Sequence, residues 1–349
     1  MVGLRGLTVH VSPVTIRGLD NQLKGTTMAK LRWGMIGSSG WADHTFGPAI
    51  KRTPGHELVA VLGSNVAGAA SYAQRHGVDA SFTQLAAFLA HPKLDAVWIA
   101  SPPDLHRAHA VAALRAGKHV LCEKPMAVTP ADCKAMVKAA QTAARELRIG
   151  FNNRAHPTLQ KLAKWVANGK FGDALEARVQ VYYPYPSAPP MWRQNKRRSG
   201  GWAIGDLGTH LLDVLGWIMN SSPRAAQGHL TNRYWHLPTD DHAQVQVLYK
   251  NGAVGSITAS TGAAGGASRV EFFGTRGYFS LRGGLFGAPG ELEVAYKNKE
   301  ATTEKIEAVD TYSAEVALFG AQVRGRATVL AAGEDGATNI ALVSAARGW

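Results

Sequence analysis

Between Leu31 and Phe151 the chain alternates short apolar runs with stretches of helix length, and nothing else in its 349 residues limits the possible folds as much. The runs "LRWGMIG", "HELVAVLG", "LDAVWIA", "HVLCE" and "LRIGF" have the length and apolar density of buried strands. Between them, "GWADHTFGPAIKRT", "AGAASYAQRHG", Pro103 to Ala116 and a segment opening at "TPAD" are helical in pattern. Gly77 suits the C-terminal cap of the second. In the fourth, Thr129 is the N-cap, Pro130 the first helical residue and Asp132 an acid near the positive helix end. Strands that alternate with helices imply a parallel sheet wound on both faces.

After Phe151 the rhythm changes. "TLQKLAKWVANG" reads as a helix, "ALEARVQVYY" as a strand, "PYPSAPPMWRQNKRRSGG" as a proline-rich loop and "WAIGDLGTHLLDVLGWIM" as a helix. Alternating runs around Asn251-Gly252 read as an antiparallel hairpin, and "VEFFGTRGYFSL" as another pair. Helices near 312–324 and 334–347 close the chain. The expected fold class is α/β: an N-terminal Rossmann-type doubly wound parallel sheet, then an α+β domain on a large, mostly antiparallel open sheet. The expected divisions are a flexible extension over residues 1–27, a dinucleotide-binding domain over 28–151, and a substrate-binding and oligomerisation domain over 152–349. The closing helices can pack back on the first domain. A broad sheet with few helices leaves a face for self-association, so a homodimer or homotetramer is the expected assembly.

Composition narrows the function. A hydrophobic content of 46% and a charged content of 18% suit a globular protein, and no apolar run approaches the roughly 20 residues that span a bilayer. Cys122 and Cys133 lack CxxC spacing, so neither a disulfide framework nor a zinc site is expected, and a reducing cytoplasm fits. Residues 1–27 contain no apolar signal core, twin arginine or small-residue cleavage site. The net charge of +13 comes without zinc-finger spacing, basic-zipper heptads or an aromatic-basic RNA signature. Neither nucleic acid nor a membrane is therefore an expected partner, while an anionic small molecule is compatible with the charge. The basic run Lys196 to Arg198 reads first as a solvated loop, with a phosphorylated or acidic sugar as the alternative.

Several stretches carry chemistry. "GMIGSSGWA" stands at the turn from the first strand into the first helix, where small residues let backbone N–H groups approach a pyrophosphate. Gly37, Ser38, Ser39, Gly40 and Trp41 are its candidate cofactor residues. The spacing alone also fits a plain tight turn; its place in a strand–helix–strand pattern favours the nucleotide. After the second strand, Gly63-Ser64-Asn65 supplies no carboxylate for ribose hydroxyls. Ser64 and Asn65 thus suit NADP better than NAD, although no arginine for the 2′-phosphate stands there either. "ASPPD" and "CEKP" end two further strands and put Ser101, Pro102, Pro103, Glu123 and Lys124 on the cofactor crevice. A lysine partly withdrawn from water there can exchange a proton with a substrate hydroxyl. In "GGWAIGDLGTH", Asp206 and His210 stand i, i+4 on one helix face. They are either an orienting acid with a proton carrier or an ordinary surface contact. The neighbouring glycines, which let another element approach closely, favour the first.

"GMIGSSGWA", "SPPDLHRAHAVAALRAGKHVLCEKPMA", "GFNNRAHP", "GGWAIGDLGTHLLDV", "VEFFGTRG" and "GEDGATNIALVSAA" together resemble the Gfo/Idh/MocA oxidoreductase family, from about Leu31 to the C-terminus. The resemblance implies that Lys124 lies near the substrate hydroxyl, that His210 is a general acid/base or substrate hydrogen-bonding group, and that Asp206 is its companion carboxylate. It implies a place at the cofactor edge for His106 and Arg193, and substrate-facing positions for Asn152, Arg154 and Trp192. Glu123 and Pro125 would set the backbone of Lys124, with a cis peptide before Pro125. Ser39, in place of the family's second glycine, and Gly63-Ser64-Asn65 depart from the pattern. The implied activity is NAD(P)-dependent hydride transfer to or from a carbinol carbon of a sugar, polyol or related cyclic compound. Lys124 or His210 takes the hydroxyl proton, Asp206 orients His210, and no metal is needed. The other implied activities are a redox-neutral NAD-dependent glycosidase cycle and non-catalytic nucleotide or sugar sensing.

Overall fold

The computed structural model describes residues 2–3, 29–266 and 268–347. The extension expected over residues 1–27 lies outside them, apart from Val2–Gly3. Among the described residues no helix is long and apolar enough to cross a membrane.

Leu31–Ile36 forms the middle of a six-stranded parallel sheet, with His56–Leu62 on one side and Ala96–Ile99 on the other. Ala80–Phe82 ends the sheet beyond the former; His119–Glu123 and Leu147–Gly150 extend it beyond the latter. The chain steps outward from Leu31–Ile36 in one direction, then returns and steps outward in the other. The crevice above Leu31–Ile36 and Ala96–Ile99 is therefore the switch point where such sheets hold ligands. Ala96, Val97, Trp98 and Ile99 are fully buried, as a strand covered on both faces requires. Asn65 caps Val66–His76 by accepting from the Gly68 N–H at 2.8 Å, and Gly77 closes it with φ 61°. Thr129 caps Pro130–Ala143. The first helix is less regular than its sequence suggests: Ala42–Phe46 winds as a π-helix before Gly47–Arg52 turns α-helical. Ala80–Phe82 and the helix Leu85–Leu89 escape a periodicity reading because they span only three and five residues.

The second sheet has nine strands when Val2–Gly3, paired with Ala225 and Ala226, is included. Its neighbours are antiparallel except Val254–Ser260 with Ala174–Tyr182. Along Ala174–Tyr182 the residues Ala177, Val179 and Val181 turn inward, against Leu211 and Leu215 of the helix Thr209–Met219. Gln244 and Gln246 on His242–Tyr249, two strands away in the same sheet, are exposed, so one face is packed and the other wet.

The closing helices, Thr311–Val323 and Gly333–Ala346, bridge the two sheets. Val316 and Phe319 enter a cluster with Trp33, Phe46 and Trp98, where the Trp33 and Phe319 rings lie 4.8 Å apart. Ile340 packs under the parallel sheet, whereas Leu342 and Val343 pack under the antiparallel one.

Arg154 is where the structure overturns a substrate-facing expectation. Its guanidinium is buried and grips the Asp213 carboxylate at 2.7–3.1 Å, and reaches Asp335 at 3.1 Å. Asp213 belongs to Thr209–Met219 and Asp335 to the first turn of Gly333–Ala346, so the arginine joins two helices rather than meeting a ligand. Removing it strands two buried carboxylates. Arg154→Met is expected to cost about 3–5 kcal/mol, measured as a lower midpoint of urea unfolding. Weakened sugar binding at unchanged stability would return Arg154 to the substrate.

Candidate active site

The cofactor turn begins at Gly37, whose N–H donates to the Leu62 carbonyl at 2.9 Å. Its φ of 113° is left-handed, and a Cβ there would stand 2.9 Å from the Ala100 backbone. Only glycine fits this close approach of two strand ends. Ser38 is half-buried, Ser39 and Gly40 are exposed, and helical winding starts at Gly40, with the Asp43 N–H donating to the Ser39 carbonyl at 2.9 Å. A Cβ on Gly40 would meet nothing within 4 Å. The turn thus presents an open helix start to the crevice, which fits the pyrophosphate of a dinucleotide. Trp41 is 63% exposed beside it. Ser64 and Asn65 are exposed at the neighbouring strand end, and no acid stands in the first turn of Val66–His76.

The next two strand ends are fastened to each other. His106, buried under Pro103–Arg115, sets Nε2 2.7 Å from the Ser101 carbonyl and Nδ1 3.0 Å from the Pro125 carbonyl. Burial pushes its pKa down to about 4, so the ring is neutral and its single N–H donates to one of the two carbonyls, while the other nitrogen packs against the second loop. That corrects its expected place at the cofactor edge. The Ser101 hydroxyl meets His109 Nδ1 at 2.9 Å, while Pro102 and Pro103 open the helix. Glu123 is likewise turned away from the crevice: its carboxylate is buried under the sheet, accepting from Trp98 Nε1 at 3.0 Å. Burial raises its pKa to about 7 against the Lys124 charge and the Trp98 hydrogen bond. The Lys124–Pro125 peptide is cis.

Lys124 meets Asp206 across the two halves of the molecule. Its Nζ donates to Asp206 Oδ1 at 2.6 Å and to the Asp206 carbonyl at 3.0 Å. Arg193 Nη1 reaches Oδ2 of the same carboxylate at 2.6 Å, and the Tyr185 hydroxyl donates to Oδ2 at 2.9 Å. Burial opposes the charge on Asp206, but Lys124, Arg193 and these hydrogen bonds prevail and hold its pKa far below the usual carboxylate range. Asp206 sits in the π-helix Ala203–Gly208, itself pinned by Asp240, which accepts the Trp202 and Ile204 N–H groups at 3.1 and 2.7 Å. Gly201, φ 107°, is what lets Asp240 come so close: a Cβ would lie 2.5 Å from its Oδ1.

His210 follows at the start of Thr209–Met219, 5% exposed, between the Phe151 and Phe286 rings at 6.0 and 4.9 Å. No hydrogen bond joins it to Asp206, and among the described residues its Nδ1 has no hydrogen-bond partner. The expected orienting pair makes no direct hydrogen bond here, since the Asp206 side chain is committed to Lys124, Arg193 and Tyr185. Burial first, and then the Lys124 charge, push the His210 pKa well below its ordinary value, so the ring is a neutral imidazole.

Asn152 is buried, donating to Thr311 Oγ1 at 2.9 Å, with Oδ1 unpartnered among the described residues. Trp192 is half-buried beneath the Arg193 guanidinium at 4.9 Å. Arg193, expected on the cofactor, is turned to Asp206 instead. Tyr185 is the participant that motif reading missed. One tyrosine in an irregular proline-rich loop has no spacing signal, and only the packing of that loop brings it to Asp206.

The open space at Gly40 makes it a clean probe of the cofactor turn. Gly40→Ala is expected to keep wild-type thermal stability while weakening nucleotide binding roughly tenfold, about 1.4 kcal/mol, by calorimetric titration. Unchanged affinity would place the pyrophosphate elsewhere.

Residues 31–151 match the family described as "Oxidoreductase family, NAD-binding Rossmann fold", and residues 159–280 match the GFO/IDH/MocA C-terminal domain. A 1,5-anhydro-D-fructose reductase of Ensifer adhaerens is 30% identical over 321 residues, 90% of this chain and 96% of its own. A levoglucosan dehydrogenase of Pseudarthrobacter phenanthrenivorans is 29% identical over 260 residues, 67% of this chain and 66% of its own. The structure of an NAD-binding oxidoreductase from Klebsiella pneumoniae superposes with a TM-score of 0.82 at 26% identity, over 92% of this chain and 96% of its own. With both of its halves matched, the chain belongs to the Gfo/Idh/MocA family of NAD(P)-dependent oxidoreductases.

Proposed function

We propose that the protein interconverts a secondary hydroxyl and a ketone on a sugar, polyol or related cyclic compound, with NADP preferred over NAD. The observation that carries this reading is the placement of Lys124, pinned by Asp206, and a neutral His210 at the carboxyl ends of the parallel strands. The nicotinamide, when bound, supplies the hydride acceptor or donor, held by the turn Gly37 to Trp41 and the Ser101–Pro103 strand end. Lys124 has three N–H bonds, two of them directed at Asp206, and the third is available to the substrate oxygen. In the oxidising direction Lys124 stabilises charge on that oxygen while His210, already neutral, accepts the hydroxyl proton. In the reducing direction the imidazolium returns it. The Phe151 and Phe286 rings keep water from competing at His210. The preference for NADP rests on Ser64 and Asn65, since no carboxylate stands there to repel a 2′-phosphate.

Nicotinamide reduction across sugars and polyols that include levoglucosan, and oxidation of NADPH and NADH with 1,5-anhydro-D-fructose, tests the reading. Lys124→Ala is expected to lower kcat about 10²–10³-fold, the usual cost of removing one donor to a developing oxyanion, while nucleotide still binds. Because His210 is held neutral, the acid limb of kcat/KM for oxidation is expected below its ordinary pKa of 6.5. Full activity without Lys124, or an acid limb above that value, would contradict the assignment.

A further inference from the structure

The loop between Ala174–Tyr182 and Ala203–Gly208 supplies two of the three side-chain donors on Asp206. Lys124 occupies Oδ1 and the backbone carbonyl of Asp206. The direction of its remaining N–H therefore depends on the orientation of the carboxylate. A carboxylate held only through Oδ1 can turn about its Cβ–Cγ bond, and each donor on Oδ2 resists that turn in proportion to how firmly the donor is itself fixed.

We propose that Tyr185 is a positioning residue for the lysine: its hydroxyl locks Oδ2 of Asp206, and through Asp206 it aims the Lys124 ammonium at the substrate oxygen. The proposal rests on the reading of Lys124 as the group that meets that oxygen.

Arg193 touches the same oxygen, but the two donors are built differently. Arg193 rides on the four-residue helix Met191–Gln194, and its side chain is 27% exposed. Tyr185 is braced on every side that matters. Its N–H donates to the Thr261 carbonyl at 3.0 Å, continuing the sheet edge where the Tyr183 N–H donates to Ser260 at 2.8 Å. Its ring leans on the buried Trp202 at 5.4 Å and on the Tyr183 ring at 4.8 Å. Trp202 is tied to the same Asp240 that pins the Asp206 turn. The phenol and the carboxylate it holds are thus anchored to one frame, and the distance between them is set by that frame rather than by loop movement. Burial, reinforced by the Asp206 charge, raises the phenol pKa, so Tyr185 acts as a donor.

Tyr185→Phe keeps the ring and its packing and deletes only the donor. With 1,5-anhydro-D-fructose and NADPH, or levoglucosan and NAD or NADP, kcat is expected to fall about tenfold, the scale of one hydrogen bond to a charged group. Sugar KM, nucleotide Kd and thermal stability should stay within about twofold or a few degrees of wild type. Placed on Asp206→Asn, the same substitution should cause no further loss, because its effect passes through that carboxylate. A crystal structure of the Tyr185→Phe holoenzyme reads the geometry without turnover, and should show the Asp206 carboxylate rotated and the Lys124–Asp206 contact longer than 2.6 Å. Unchanged kcat, an equal loss on the Asp206→Asn background, or an unmoved carboxylate would each overturn the role of Tyr185. Failure of the underlying reading looks different: Lys124→Ala would then be as active as wild type.

Discussion

The contact between Lys124 and Asp206 is the interaction on which the rest of the site depends. One partner ends a strand of the parallel sheet, the other sits in a π-helix under the antiparallel sheet, and both are largely withdrawn from water. Taking two charges out of water is unfavourable unless their remaining hydrogen-bonding capacity is met. Asp206 meets that condition with three side-chain donors, one from the end of His119–Glu123 and two from the proline-rich loop. The result is a charge fixed in place and direction, which a solvated ion pair on the surface could not provide. Because the pair joins the end of His119–Glu123 to the Ala203–Gly208 turn, holding it also holds the two halves together at that point.

The same device recurs around it. Asp240 accepts the N–H groups of Trp202 and Ile204; Asp241 accepts those of Arg233, Tyr234 and Trp235 at 2.7–3.1 Å. Arg154 joins Asp213 to Asp335. Buried carboxylates act here as rivets for turns that have no regular hydrogen-bond ladder. They determine where Tyr185, Asp206 and His210 stand, and they explain why irregular backbone is tolerated so close to the core.

This also separates what the sequence discloses from what it hides. The parallel sheet is legible because every strand but one is a compact apolar run and every long helix between them carries a cap or a stop, as at Asn65, Gly77 and Thr129. Lys124 is legible from its place after such a strand. The partners of charged residues are not, since they depend on packing between segments distant in sequence. Arg154 stands next to site residues in the chain yet bonds 59 and 181 positions away. His106 and Glu123 lie at the crevice in sequence order, but their side chains turn inward to latch a loop and to meet Trp98. Asp206 and His210 have helical spacing, but the Asp206 carboxylate is taken by Lys124, Tyr185 and Arg193, and no periodicity reading distinguishes the π-winding of Ala203–Gly208 from α over six residues.

The buried acids behind Lys124 complete the electrostatic argument. Glu315 is fully buried on Thr311–Val323, and burial with the nearby Glu123 and Asp213 charges raises its pKa well above the carboxylate range. Glu123 titrates near neutrality for the same leading reason, its burial. Burial thus disfavours charge on Glu315 and Glu123, while Asp206 keeps its charge and is the carboxylate that Lys124 bonds directly. His210 is affected in turn. The Lys124 charge and burial keep it neutral, and the opposing pull of Asp206 is too small to reverse that because its carboxylate is already shared with Lys124 and Arg193. The proposed roles, a donor to the substrate oxygen for Lys124 and a proton acceptor for His210, rest on this difference between the two side chains.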